Sequence, residues 1–196
     1  MTTPYVLVLY FSRTGGTANL ARHIARGVRS PGMEAMLRTV PPVSAVSERT
    51  APVIPDEGAV YCTKEELAGC SALALGSATR FGNMAAPLKY FLDTTTDLWL
   101  AGKLAGKPAG VFTSSGSLHG GQESTLLTMM IPLLNHGMLI TGVPYSVPEL
   151  NTTRTGGSPY GPTHLGSESS DLSGDEGAIA EALGARLASI ALKLSR

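Results

Sequence analysis

Val6-Leu7-Val8-Leu9-Tyr10-Phe11 runs straight into Ser12-Arg13-Thr14-Gly15-Gly16-Thr17, and the reading of that junction decides the fold. Six consecutive apolar side chains fit a strand covered on both faces, the habit of a parallel sheet. The hydroxyl- and glycine-rich turn behind it opens a helix. Leu20, Ile24 and Val28 share one face of that helix, while Arg22, Arg26 and Arg29 lie elsewhere. Pro31-Gly32 stops it.

The alternation continues along the chain. Residues 34–40, 72–76, 109–113 and 138–143 read as four further strands. Residues 85–93 and 123–136 read as helices, with Gly137 as a cap. Thr63-x-x-Glu66 has the form of a capping box opening a short helix, and residues 178–194 form a closing amphipathic helix. Residues 40–58 and 144–174 are aperiodic and rich in Pro, Gly, Ser or Thr, so both are expected to be long loops. No repeat and no second core interrupts the pattern. The expected architecture is α/β: a flavodoxin-like, doubly wound five-stranded parallel sheet with helices on both faces and long inserted loops, in one domain over residues 1–196.

Composition narrows the function. Of 196 residues, 43% are apolar and 15% charged, enough for a sizeable core, and Lys+Arg equals Asp+Glu at 15 each. That neutrality gives no electrostatic reason to expect nucleic acid or an anionic membrane as partner. It also offers no acidic face for docking a basic redox protein. Cys62 and Cys70 form no CxxC pair and lie near no His cluster, so no metal site is expected. Both are read as reduced thiols of a cytoplasmic protein. Residues 1–4 lack the basic start of a secretion signal, and no apolar run approaches membrane-spanning length.

In a sheet of this kind ligands bind beyond the carboxyl ends of the strands, where strand order reverses. Three loops are therefore decisive. The first, Ser12, Arg13, Thr14, Gly15, Gly16 and Thr17, combines hydroxyls with the free N–H groups of a helix start. That set can hold a phosphate monoester, or it is an ordinary capped turn. The second, Ser77-Ala78-Thr79-Arg80-Phe81-Gly82-Asn83-Met84, brings an aromatic edge and one cation. The third, Ser114, Ser115, Gly116, Ser117, Leu118, His119, Gly120 and Gly121, is small enough for backbone to approach a ligand closely. Rival nucleotide motifs fail. No GxGxxG follows the first strand, and Gly102-Lys103-Leu104-Ala105-Gly106-Lys107 is one residue short of a P-loop and precedes a strand. A receiver domain needs acidic residues after the first strand, and none occurs before Glu34.

Taken together, residues 6–17, Thr79-Arg80-Phe81-Gly82-Asn83-Met84, Leu98-Trp99, Gly120-Gly121-Gln122-Glu123, His136-Gly137-Met138 and Gly156-Gly157-Ser158-Pro159-Tyr160-Gly161 resemble the WrbA-type NAD(P)H:quinone oxidoreductases over nearly the whole chain. The resemblance implies FMN as cofactor, NADH or NADPH as electron donor, a quinone as acceptor and a homo-oligomer, a tetramer. It implies that residues 12–17 hold the FMN phosphate and that Thr79, Arg80, Phe81, Gly82 and Asn83, with residues 114–121, flank the flavin ring. His136 matches a family His near the flavin, and Trp99 a family Trp walling the substrate pocket. Thr14 stands where many members have a Tyr linked to the nicotinamide. His23 and His164 receive no role.

The expected chemistry is hydride transfer from NAD(P)H to FMN and then two electrons to a quinone, in ping-pong order, with no obligatory catalytic side chain. Two other classes remain open: a flavodoxin-type one-electron carrier, and a non-catalytic FMN-binding interaction protein.

Overall fold

The computed structural model describes residues 3–43, 58–166 and 169–195. The expected loop at 40–58 therefore lies largely outside the described residues. Five parallel strands form the central path of the sheet: β1 (Tyr5–Phe11), β2 (Glu34–Thr39), β3 (Ala72–Arg80), β5 (Pro108–Ser115) and β6 (Leu139–Ile140), in spatial order β2-β1-β3-β5-β6. Two short strands complete it. β4 (Asn83–Met84) pairs antiparallel with the end of β3, and β7 (Thr163–Leu165) pairs parallel with the end of β5.

The alternation of side chains across β1 and β3 explains the layering. Tyr5, Leu7 and Leu9 with Leu73 and Leu75 face one cluster; Val6, Val8 and Tyr10 with Ala72 and Ala74 face the other. The first cluster is covered by α2 (Lys64–Gly69), α3 (Ala86–Asp93) and α5 (Gln122–Asn135), through Leu67, Leu88, Leu92, Leu126, Met129 and Leu133. The second is covered by α1 (Gly16–Arg29) and α7 (Gly174–Leu194), through Leu20, Ile24, Val28, Ile179, Leu183 and Leu187. Both faces of the central strands are dry, which is why those strands read as unbroken apolar runs. Two short helices lie in connections: α4 (Thr96–Leu100) and α6 (Glu149–Thr152).

The fifth strand departs from the expected 138–143. The chain leaves β5 after two paired residues, because Gly142 turns against the backbone of Pro159, where a Cβ would stand 2.1 Å from the carbonyl oxygen. Val143 N–H donates to that same carbonyl at 3.0 Å. The chain then makes an excursion and returns as β7, beside residues 113–115 of β5. One strand position is thus shared by two segments, and the expected loop at 144–174 contains both α6 and β7. The closing helix also starts earlier than 178. Ser173 and Glu176 form a full capping box, as Thr63 and Glu66 do for α2.

Among the described residues, no helix is long and apolar enough to cross a membrane, and no group of three or more His, Cys, Asp or Glu is placed to hold a metal ion. Cys62 and Cys70 are buried and unbridged, and burial pushes their thiols up to about 12 and about 11.

Candidate active site

β1 ends at Phe11, and the chain turns through Ser12 to Gly15 into the first turn of α1. Gly15 sits at φ +94°, a backbone that side-chain-bearing residues adopt only under strain, and precedes the helix without any side-chain cap. The N–H groups of that first turn are therefore left for another acceptor. The hydroxyl of Ser12 is buried and has no hydrogen-bond partner among the described residues. An unpaired buried hydroxyl beside free helix N–H groups costs stability unless something else pairs with it. Thr17 is satisfied already, sharing a 2.7 Å hydrogen bond with the hydroxyl of Ser114.

A cavity of about 440 Å³ opens beyond the ends of β1, β3 and β5. The first loop supplies Thr14 and Gly16 to its wall, the second Thr79 and Arg80, and the third Ser114, Ser115 and Gly116. The structure thus brings residues from all three expected loops to one place. Gly15 and Thr17 flank the same turn, and Arg13 is exposed beside it.

The second loop is a hairpin rather than an open loop. β3 continues through Arg80, and Phe81 (φ 51°) with Gly82 (φ 75°) make a two-residue turn into β4. Two left-handed residues in succession match the twist of a hairpin. Phe81 is fully exposed, so among the described residues no packing repays its strained backbone. Asn83 turns its side-chain oxygen to the N–H of Met84, at 2.7 Å.

The second and third loops touch. A Cβ on Gly121 would lie 2.8 Å from Cα of Gly82, so the contact requires glycine. Ser115 donates to the carbonyl of Ser117 at 2.7 Å and accepts from the side chain of Gln122 at 2.8 Å. Gln122 in turn accepts from Thr163 on β7 at 2.7 Å. This buried chain of hydrogen bonds anchors the base of the third loop, while residues 116–120, with Leu118 and His119 among them, are exposed.

His136 and Trp99 are elsewhere. They line a second cavity of about 490 Å³ with Thr95, Ile131 and Asn135, and this cavity shares no residue with the first. The hydroxyl of Thr95 donates to the carbonyl of Leu92 at 2.7 Å and meets Nε2 of His136 at 3.1 Å. Nε2 therefore carries the proton, leaving Nδ1 buried as an acceptor without a partner. Burial also lowers the pKa of His136, favouring this neutral form. Trp99 donates its indole N–H to the carbonyl of Asn135 at 3.0 Å and remains 46% exposed.

Sequence reasoning passed over His164, Gly166, Ser169 and Ser170, which also line the first cavity. Ser170 lies beside Gly15, where a Cβ would meet it at 3.1 Å. The Ser173-x-x-Glu176 pattern was the available signal. Glu176 caps α7 and holds His164 at the cavity through a 3.0 Å contact.

The comparisons with known proteins agree with this geometry. The family described as NADPH-dependent FMN reductase matches residues 4–150. The chain is 43% identical to a protein of Geobacter sulfurreducens named NAD(P)H dehydrogenase (quinone), covering 97% of this chain and 98% of that one. A protein of Syntrophobacter fumaroxidans with the same name is 40% identical over the same shares. In fold, the chain is similar to a flavodoxin, WrbA-like protein from Agrobacterium tumefaciens, with TM-score 0.68 at 24% identity over 97% of this chain and 99% of that one. It is also similar to Flavodoxin 2 from Bacillus cereus, with TM-score 0.58 at 18% identity over 98% and 99%. The chain belongs to the flavodoxin-like NADPH-dependent FMN reductase family.

Proposed function

We propose that this chain is an NAD(P)H:quinone oxidoreductase of the WrbA type that holds FMN in the cavity beyond β1, β3 and β5. The observation that carries the reading is the orphaned, buried hydroxyl of Ser12 beside an uncapped helix N-terminus opened by Gly15 and Gly16. A phosphate monoester fits that donor set: it accepts from the hydroxyl and the helix N–H groups together and is favoured by the helix dipole. The names of the two relatives at 40% and 43% identity support the donor and acceptor.

FMN bound there would supply the two-electron hydride chemistry that links NADH or NADPH to a quinone. The residues of the chain bind and orient. The first loop holds the phosphate, with Thr14 at its rim. Thr79, Arg80 and the exposed ring of Phe81 flank the flavin on one side, and residues 114–121 on the other. One open mouth serves donor and acceptor in turn, which fits ping-pong kinetics. A single phosphate cradle favours FMN over FAD.

The partner of this site is a further copy of the same chain. Leu127, Ile131 and Leu134 recur at helical spacing on α5 and are exposed, next to the cavity that holds His136 and Trp99. A homotetramer that covers this face would bring His136 and Trp99 of one subunit toward the flavin of another. The single domain would work in the cytoplasm, consistent with two unbridged thiols.

The test is reconstitution with FMN followed by initial-rate kinetics with NADH, NADPH and benzoquinone. The expected result is NAD(P)H-dependent quinone reduction with parallel double-reciprocal lines. Binding of FMN without any quinone turnover would contradict the enzymatic reading.

A further inference from the structure

β7 places Thr163 and His164 against the upper end of β5, and both are buried. The imidazole of His164 packs against the start of α1. A Cβ on Gly16 would stand 2.6 Å from its Cδ2, so glycine there leaves room for the ring. Nδ1 lies 3.0 Å from Oε2 of Glu176, and Nε2 lies 3.1 Å from the carbonyl oxygen of Ser169.

Both neighbours are acceptors. A carbonyl oxygen takes a hydrogen bond only from an N–H, and the carboxylate of Glu176 has no proton to give. That carboxylate also accepts from the backbone N–H groups of Gly156 at 2.8 Å, Leu165 at 3.1 Å and Ser173 at 2.9 Å. The set is complete when both ring nitrogens of His164 carry protons. His164 lines the first cavity and Glu176 does not, so the positive end of this buried pair is the one presented to the cavity.

We propose that His164 is a resident imidazolium that recognises the cofactor phosphate, and that it sets the preference of the site for a phosphorylated over an unphosphorylated flavin. This rests on the reading of the cavity as an FMN site. The charged groups facing the ring are Glu176 from α7 and Asp171 from the segment before it; Gly16 of α1 and Ser114 and Ser115 of β5 add none. The hydrogen bond to Glu176 outweighs burial and raises the pKa of His164, the same direction as the doubly protonated ring that its two acceptors require. The pair with Glu176 is net neutral and both ring N–H groups are engaged within the chain, so the ring acts through the positive end of its dipole, which faces the cavity and adds to the partial charge of the helix N-terminus.

The experiment compares FMN with riboflavin, which lacks the phosphate. Each is titrated into flavin-free wild type, His164→Gln and His164→Thr, following quenching of flavin fluorescence. Both variants are expected to lose about tenfold or more in FMN affinity while riboflavin affinity stays unchanged. Equal loss for both flavins would reduce His164 to a scaffold residue, and unchanged FMN affinity would also overturn the proposal. Nitrogen NMR of the wild-type imidazole gives a second reading that no variant can distort. Two protonated nitrogens at pH 7.5 are expected, and one protonated nitrogen would overturn it. Wild type that binds neither flavin would instead sink the FMN reading itself.

Discussion

Phe81 shows how a single residue links strain to use. Its left-handed backbone costs about 1 kcal/mol, and the residue is fully exposed. Phe81→Asn, which suits the first position of such a turn, is expected to raise the melting temperature by roughly 2 °C. The same change should weaken FMN binding by removing the ring edge; thermal melts of flavin-free protein beside flavin titrations check both directions. Glu176 illustrates the opposite case, a buried charge fully satisfied. Burial would raise its pKa, but the hydrogen bonds from His164, Ser173 and Leu165 bring it down to about 2, below the ordinary 4.5. Its stabilisation is thus present above about pH 4.5 and is lost as pH falls toward 2. Urea unfolding of flavin-free protein should show this acid loss, and Glu176→Gln should abolish it at a cost of about 3 kcal/mol near neutrality. The glycines, the hydroxyls and the two arginines, Arg13 and Arg80, of the three loops were legible in the sequence because parallel-sheet ligand sites lie there. His164, Ser169 and Ser170 were not, because they reach the cavity from a strand of three residues and a segment with no period.

At the level of elements, strands β1, β2, β3 and β5, the Thr63 capping box and the helix expected at 123–136 could be read from residue pattern alone, since each is long or chemically marked. The divided fifth strand could not. Its halves are two and three residues long, and their union depends on contacts between Gly142 and Pro159 and between β7 and β5. The pairing of α1 with α7 is likewise a tertiary matter. A Cβ on Gly27 would fall 1.8 Å from the carbonyl oxygen of Glu181, and one on Gly184 2.0 Å from that of Ile24. Alanine is the better helix former by about 1 kcal/mol, yet forcing two backbones apart costs about 1–3 kcal/mol or more. Gly27→Ala is therefore expected to destabilise the protein by roughly 2 kcal/mol, measured by urea denaturation. A gain in stability would show that the two helices separate freely.

For the whole molecule, the proposed function makes the two cavities a division of labour: one would hold the phosphate and flavin, and the other carries His136 and Trp99 beside an exposed apolar helix face. If the proposed assembly forms through this face, Ile131→Glu should break it in light scattering and lower quinone turnover about tenfold or more, leaving FMN affinity nearly intact. A fully active monomer would contradict the shared site. Beneath all of this lies one claim, that the turn after β1 is a phosphate cradle. Ser12→Ala tests it cleanly, because the hydroxyl it removes is buried and makes no hydrogen bond among the described residues. The decisive measurement is calorimetric titration of FMN into flavin-free wild type and Ser12→Ala, with the melting temperature of each recorded. The expected result is one FMN per wild-type chain and about tenfold weaker binding by Ser12→Ala, at equal or higher flavin-free stability. Undiminished FMN binding by Ser12→Ala, or no binding by wild type, would contradict it.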